Sequence, residues 1–148
     1  MIVNSRSLLK AQPLTPMIQS KVKEQGVSWG MSEAGYDIRV KQDLWLHPFR
    51  RFTLASSVEG FSMPSDLVAI VHDKSTWARL GVAVQNTVIE PGWKGFLTLE
   101  ITYHGWGAVR IPAGSGIAQV VFHEVKHPRI YNGKYQNQID DVQEAIFG

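Results

Sequence analysis

The chain has 148 residues, a formal net charge of +2 and no cysteine; 44% of its residues are hydrophobic and 19% are charged. This length and composition predict one globular domain, residues 1–148. The missing cysteines exclude disulfides and Cys-ligated zinc, and the dispersed basic residues leave no footprint for nucleic-acid binding. No apolar run approaches the roughly 20 residues that span a bilayer. Because no apolar signal core is present either, we expect a cytoplasmic protein.

The first third of the chain predicts few regular elements. Residues 2–10 favour a short helix that Asn4 or Ser5 could cap and that ends before Pro13. Residues 11–34 contain two prolines and two glycines among mixed polar residues, which is typical of irregular surface chain. A strand entered through Gly35 follows, and Asp37 and Arg39 flank its central residue as a possible structural ion pair.

Residues 41–72 contain several short β-like runs, namely LWLHP, RFTLASSVEGF and DLVAIVHD. Proline, glycine and serine residues separate these runs. Strands of this length and spacing predict an all-β barrel or sandwich and argue against βαβ units.

The segment from Lys74 to Leu80 has room for only a short helix, which Asp73 or Ser75 could cap and Gly81 could end. In such a helix Ser75 and Arg79 lie on one face. A hydroxyl, the free backbone N–H groups of a helix start and a guanidinium one turn later together predict an anion site, most naturally for phosphate.

Two glutamates follow in a turn-and-strand unit. The β-rich run 82–88 leads into the turn Glu90-Pro91-Gly92-Trp93, and then into a strand over residues 96–103. Alternation places Glu100 on one face of this strand with Thr98 and Thr102, opposite an apolar face. Glu90 therefore lies at the tip of the unit and Glu100 on its polar face.

The last part of the chain predicts two glycine-rich turns over 104–116, a buried central strand over 117–125 and a polar tail over 126–148. The HEVKH run at 123–127 matches a zinc-protease pattern, but it lies on a strand and precedes Pro128, which disfavours the required helix. Trp29, Trp45 and Trp106 are interpreted as core or interface residues, and Trp93 as a residue near a ligand.

Six short motifs, taken in their order along the chain, resemble those of a known protein superfamily. They are GYDIR (35–39), KSTWAR (74–79), NTVIEPGWKG (86–95), TLE (98–100), GIAQVVF (116–122) and YNGKYQNQ (131–138). Together they resemble the trimeric dUTPase and dCTP deaminase superfamily, and the TLE and tail motifs resemble the dCTP deaminase branch. The resemblance implies an all-β, dUTPase-like distorted jelly-roll barrel with short peripheral helices. It also implies a homotrimer with sites at subunit interfaces, and a tail of about 126–148 that closes as a lid.

The resemblance also implies roles for particular residues. Glu100 would shuttle protons, Ser75 and a backbone carbonyl in 85–88 would hold the attacking water and the exocyclic amine, and Arg79 would steer the carboxylate. Mg²⁺ would arrive with the triphosphate, without direct side-chain ligands and without zinc. Asp37 would belong to the supporting shell. The catalytic candidates are Glu100, Ser75, Arg79 and Glu90. The nucleotide-binding candidates are Lys74, Ser75, Thr76, Arg79, Gln85, Asn86, Thr87, Val88, Glu90, Trp93, Tyr131, Lys134 and Gln138.

The motifs also depart from the family pattern. Lys74 stands where many deaminases have arginine, Glu90 stands where most have aspartate, and the segment from Arg79 to Glu90 is two residues shorter than in some. The segment after GYDIR is also short, which predicts a trimmed peripheral hairpin.

Three functions follow from these motifs. The first is zinc-independent deamination of dCTP to dUTP and ammonia, continuing to dUMP if Glu90 supports diphosphate release. The second is a dUTP diphosphatase in which Glu90 is the base and Glu100 is dispensable. The third is a non-catalytic regulator that binds nucleotide or protein.

Overall fold

The computed structural model describes every residue from Met1 to Gly148. Strands dominate it, and the two helices are short; none is long and apolar enough to cross a membrane. The elements in chain order are β1 (Ile2–Val3), α1 (Ser5–Ala11), β2 (Leu14–Thr15), β3 (Lys21–Glu24), β4 (Val27–Met31), β5 (Tyr36–Arg39), β6 (Leu44–Leu46), β7 (Phe52–Ser62), β8 (Leu67–Asp73), α2 (Ser75–Ala78), β9 (Val82–Val84), β10 (Val88–Ile89), β11 (Lys94–Tyr103), β12 (Val109–Ile111) and β13 (Gly116–Glu124).

The strands form two sheets and a separate two-stranded ribbon. The larger sheet has the order β10-β8-β13-β5-β4-β3, with β1 also paired to β13. The smaller sheet has the order β2-β7-β11-β9, and the ribbon pairs β12 with β6. Every strand pair in the sheets is antiparallel. The expected all-β barrel or sandwich is therefore confirmed.

Strand β13 is the centre of the larger sheet, as its composition predicts. It pairs with β8 along one edge and with β5 and β1 along the other. Ile117, Ala118, Val120 and Phe122 on this strand have no exposed surface. The strand runs through His123 to Glu124, so the HEVKH segment has no helix on which two histidines could share a metal.

The prediction of irregular chain over residues 11–34 is wrong. Strands β2, β3 and β4 lie there, and β3 and β4 form a hairpin around Gln25 and Gly26, both with positive φ. The edge strand β3 is mostly exposed, so its charged residues have the composition of a surface loop. Its partner β4 buries Val27 and Met31 in the core.

The helices are found where they were expected, but neither predicted cap forms. Asn4 occupies the N-cap position of α1, yet its amide donates to the Glu33 carbonyl at 2.7 Å instead of capping. Lys74 occupies the N-cap position of α2, because the Asp73 carboxylate accepts from the backbone N–H of Val84 at 2.6 Å. Gly81, with a φ of 87°, follows α2 as predicted.

One expectation about a surface segment is wrong, and the core alternative is excluded for two tryptophans. The region 104–116, expected to hold only turns, contains β12, whose alternation is too short to identify without its partner β6. Trp29 is buried, but Trp45 and Trp106 are 54% and 87% exposed, so neither belongs to the core. Both exposed rings lie near arginine guanidinium groups, which makes their solvent-facing positions compatible with folding.

Two buried ion pairs cross between elements. Arg39 Nε lies 2.8 Å from the carboxylate of Glu59 on β7, and the Arg39 backbone N–H donates to the same carboxylate at 2.9 Å. Asp37 instead pairs with Lys74 at 2.6 Å. Asp37 and Arg39 therefore form two separate pairs and not one with each other. They connect β5 to β7 and to the start of α2.

The Glu59 pair makes stability depend on pH. Burial raises the pKa of the Glu59 carboxyl, and its hydrogen bonds to Arg39 oppose that shift. A raised folded-state pKa contributes stability below the unfolded value of about 4.3, and this contribution is lost as pH rises through the folded pKa. In urea unfolding across a pH series, we expect wild type to lose stability relative to Glu59→Gln as pH rises from about 4.3 through the folded-state pKa of Glu59. Glu59→Ala should cost about 3 kcal/mol, because it leaves Arg39 without its carboxylate.

A matched control is Glu33→Gln, since Glu33 pairs with Lys21 on the surface with 87% of its side chain exposed. It should change the free energy of unfolding far less than Glu59→Ala does, because water screens an exposed ion pair. A constant difference between wild type and Glu59→Gln at every pH would contradict the assignment.

Candidate functional site

A cavity of about 430 Å³ lies between β11, the turn before it and the C-terminal tail. Its wall combines aromatic and aliphatic groups with a few polar ones, as is typical of small-molecule sites. The lining residues are Phe52, Leu54, Thr87, Val88, Ile89, Glu90, Trp93, Leu97, Thr98, Glu100, Tyr131, Tyr135, Gln138, Gln143, Glu144 and Ala145. Seven predicted site residues are among them, namely Thr87, Val88, Glu90, Trp93, Glu100, Tyr131 and Gln138.

One side of the cavity is built where the chain crosses from the smaller sheet to the larger. Strand β9 pairs with β11, and β10 pairs with β8 in the other sheet. Between them, the Gln85 N–H donates to the Glu100 carbonyl at 3.0 Å, and the Thr87 carbonyl accepts from Val71 N–H at 3.0 Å. The Asn86 amide donates to the Val71 carbonyl at 2.8 Å. Gln85 and Asn86, predicted to bind nucleotide, thus anchor this crossing and lie outside the cavity wall.

Glu100 lies on the polar face of β11, as the alternation predicts. Its side chain is half-buried and lines the cavity. The Thr87 hydroxyl donates to Glu100 Oε2 at 3.2 Å. Thr98 lies on the same face but is buried, because the tail covers it and the Gln143 N–H donates to its hydroxyl at 3.0 Å.

The turn 90–93 places the second glutamate at the cavity. The Trp93 N–H donates to the Glu90 carbonyl at 3.1 Å, which closes the predicted turn. The Glu90 side chain is exposed and lines the cavity. The Trp93 ring is buried beside Phe61, with ring centroids 6.0 Å apart, and its indole N–H donates to the Tyr135 carbonyl at 2.6 Å. Trp93 therefore forms part of the wall and also holds the tail.

The tail lies along the start of β11 and is not frayed. The Asn137 N–H donates to the Lys94 carbonyl at 2.8 Å, and Phe96 N–H donates to the Gln138 carbonyl at 3.1 Å. Gln138 thereby pairs in parallel with Gly95. Tyr131 N–H donates to the Pro91 carbonyl at 2.8 Å. These bonds bring Tyr131 and Gln138 to the cavity.

The last part of the tail, although within the predicted lid segment, contributes cavity residues that no sequence motif identified. Gln143, Glu144 and Ala145 line the cavity, and the Ile146 N–H donates to the Tyr135 hydroxyl at 3.0 Å. Tyr135 was also missed, although it lies inside the YNGKYQNQ motif. Phe52 and Leu54 could have been found from strand pairing, because they lie opposite Thr102 and Glu100 in the β7–β11 register.

Lys134 does not reach the cavity in this chain. Its ammonium group lies on the exposed side of the tail, donates to the Ile146 carbonyl and lies 5.4 Å from the Tyr135 ring centroid. Lys134, a predicted nucleotide-binding residue, therefore has its partners within the tail itself.

The predicted phosphate motif also lies outside the cavity. Lys74 has only 11% of its side chain exposed, donates to Asp37 at 2.6 Å and lies 3.4 Å from the Ser28 hydroxyl. Ser75, Thr76 and Arg79 are exposed, with no side-chain hydrogen bond. The structure of one chain therefore separates the two groups of predicted site residues.

The charge of the cavity wall has one sign. Three carboxylates line it, from Glu90, Glu100 and Glu144, and no lysine or arginine does. No three His, Asp or Glu side chains are grouped so that they could hold a metal ion. This wall can recognise the neutral part of a ligand, but a polyanion needs cations from elsewhere.

Tail docking depends on a glycine at position 95. Gly95 has a φ of 139°, and a Cβ there would lie 2.5 Å from the Gln138 backbone nitrogen. We expect Gly95→Ala to displace the tail, so limited proteolysis should cleave within 126–148 about tenfold faster, as expected for a segment that has lost its backbone pairing. Gly107→Ala is the control, because a Cβ at Gly107 meets no atom within 4 Å. Equal cleavage rates for both variants would contradict this dependence.

Comparison with known proteins finds relatives that align with most of the chain. The profile of a family described as dCTP deaminase-like matches residues 36–125. A dCTP deaminase of Protochlamydia amoebophila (strain UWE25) is 33% identical over 168 aligned residues, covering 88% of this chain and 89% of the relative. A dCTP deaminase of Sulfurovum sp. (strain NBC37-1) is 36% identical over 169 residues, covering 92% and 89%. Both alignments exceed the 148 residues of this chain, so these relatives carry segments that it lacks.

Solved structures are similar in fold. A variant of the dUTPase of Staphylococcus bacteriophage 80alpha with dUpNHpp has a TM-score of 0.60 at 16% identity, covering 82% of this chain and 94% of that chain. A variant dUTPase from phage phi11 of S. aureus, described with a structural Mg(II) ion, has a TM-score of 0.56 at 18% identity, covering 69% and 84%. The predicted dUTPase-like all-β fold is confirmed by this similarity.

Proposed function

Because the chain belongs to the dCTP deaminase-like family, we propose that it is a hydrolase that converts dCTP and water to dUTP and ammonia. The observation that carries this proposal is the position of Glu100, a half-buried carboxylate that lines the cavity beside the crossing at residues 85–87. A carboxylate in such a place can accept and return protons next to a bound base.

Deamination at C4 depends more on the transfer of protons than on the neutralisation of charge. Glu100 takes a proton from the attacking water as its oxygen bonds to C4, and delivers it to the ring nitrogen. Glu100 then transfers the proton of the new C4 hydroxyl to the exocyclic nitrogen, which leaves as ammonia when the C4–N bond breaks and the C4 carbonyl forms. The proposed steps use no zinc, and the chain has no cysteine for the His/Cys/Cys or Cys₃ ligand set of the zinc deaminases.

The remaining contacts divide between recognition and phosphate binding. Val88, Trp93, Tyr131 and Gln138 line the cavity and would surround the base and deoxyribose, with the tail as a lid. Mg²⁺ enters with the triphosphate as part of the substrate, and it keeps most of its waters. A structural Mg(II) ion is described for the phage phi11 dUTPase.

The phosphate-binding groups come from a second copy of the chain. The cavity wall has three carboxylates and no cation, whereas Ser75 and Thr76 on α2 and Arg79 directly after it are exposed outside the cavity. A homotrimer in which α2 of one copy meets the cavity of the next would bring the two groups together. It would place positive charge beside the triphosphate, and Arg79 near Glu100.

One observation supports a second function, the hydrolysis of dUTP to dUMP and pyrophosphate. Glu90 lines the same cavity as Glu100. In that reaction Glu90 would be the base. If the protein had neither activity, the third candidate function would stand, a non-catalytic regulator that binds nucleotide or protein.

The substrate test uses purified protein with Mg²⁺ and dCTP, or separately dUTP, with ammonia and pyrophosphate assayed in parallel. We expect ammonia from dCTP and a loss of at least about 100-fold in Glu100→Gln, because the proton carrier is removed. Glu124→Gln is the control, since Glu124 lies at the far end of β13 and pairs only with the N-terminus. Pyrophosphate from dUTP, with dCTP untouched, would assign the chemistry to Glu90 instead.

The shared site can be tested by mixing two inactive variants. Glu100→Gln and Arg79→Ala each disable every site of their own trimer. After denaturation and refolding of an equimolar mixture, about a quarter of the sites would combine an intact Glu100 with an intact Arg79 from a neighbour. We expect activity to return to about that fraction, with a trimer by sedimentation. No recovery in a mixed trimer would mean that each copy supplies both residues.

A further inference from the structure

We propose that Thr87 is the positioning residue for the Glu100 carboxylate, an inference that rests on the proposed deamination. The Thr87 hydroxyl donates to Glu100 Oε2 at 3.2 Å, and this is the only side-chain hydrogen bond that Glu100 makes. Because Glu100 has no other side-chain hydrogen bond within one copy of the chain, this contact determines the orientation of its carboxylate when no substrate is bound.

The backbone fixes both partners of this hydrogen bond. The Glu100 carbonyl accepts from the Gln85 N–H at 3.0 Å, and Glu100 lies within the ladder between β11 and β7. The Thr87 carbonyl accepts from Val71 N–H at 3.0 Å, and its own N–H donates to the Gln85 carbonyl at 2.9 Å. Neither residue can shift without breaking bonds to a sheet.

The chemistry of threonine suits this role. A β-branched side chain has restricted χ1, so a fixed backbone also fixes the direction of the hydroxyl. Of the other two polar side chains of the crossing, Asn86 is committed to the Val71 carbonyl, and Gln85 is exposed and makes no hydrogen bond to Glu100. Thr87 is therefore the one side chain of this segment that contacts the carboxylate.

The hydrogen bond from Thr87 occupies one oxygen of the Glu100 carboxylate and leaves the other oxygen for the reaction. Glu100 Oε2 is held by Thr87, whereas Oε1 has no protein partner and is not among the buried unpaired atoms. Oε1 is the oxygen that can accept the proton of the attacking water. Holding one oxygen reduces the rotation that would otherwise misalign the other, which is a contribution to orientation.

The test compares three variants with wild type, using ammonia release from dCTP. Thr87→Val keeps the shape and removes the hydroxyl, and Thr87→Ser keeps a hydroxyl. We expect kcat to fall about 10-fold or more in Thr87→Val with KM within about twofold, and to stay within about threefold in Thr87→Ser. Thr102→Val is the matched control, because Thr102 is a half-buried threonine on the same face of β11 whose hydroxyl contacts His104.

The outcomes separate this inference from the proposed function. A raised KM with unchanged kcat would make Thr87 a ligand contact, and unchanged kinetics would remove it from the site; both overturn the positioning role. Wild type that releases no ammonia would overturn the proposed function itself.

A crystal structure of each variant supplies a readout that is independent of activity. Glu100 should turn away in Thr87→Val and keep its place in Thr87→Ser. An unmoved carboxylate in Thr87→Val overturns the inference whichever reaction the protein performs. If Thr87→Val does not fold, Thr87→Ala is used in both experiments.

Discussion

The site depends on the crossing of the chain between the two sheets at residues 85–87. One backbone hydrogen bond ties this segment to Glu100 in the smaller sheet, and another ties it to Val71 in the larger. The segment therefore sets the distance between a strand that carries a carboxylate and a turn that carries a second one. Packing of the two sheets around a common core of 29 buried residues keeps that distance constant. The residues that line the cavity are positioned relative to these two sheets.

The tail completes the cavity without adding to the core. It pairs its backbone with the start of β11, where Gly95 permits a close approach, and it contributes polar and aromatic groups to the wall. Backbone pairing of an exposed segment is weak compared with core burial, and the proposed lid role of the tail rests on that difference.

The charges are divided between two surfaces of one chain. Carboxylates face the cavity, whereas Arg79 follows α2 outside the cavity, and Lys74, just before α2, is paired with Asp37. The second oxygen of the Asp37 carboxylate is buried with no partner, which is a costly arrangement within one copy. Assembly is the simplest way to bring the cationic surface of one copy to the acidic cavity of another, and the proposed trimer follows from that division.

The sequence by itself determined the β-rich architecture, the central strand β13, the polar face that carries Glu100 and the turn that carries Glu90. These features follow from alternation and turn chemistry, which act over a few neighbouring residues. The hairpin of β3 and β4 escaped notice because its edge strand is exposed and charged. Only the tertiary structure decided that Thr87 meets Glu100, that Lys74 is held by Asp37 and that residues 143–145 reach the cavity. Such contacts join residues far apart in the chain, or depend on where a loop crosses between sheets, and no local pattern encodes them.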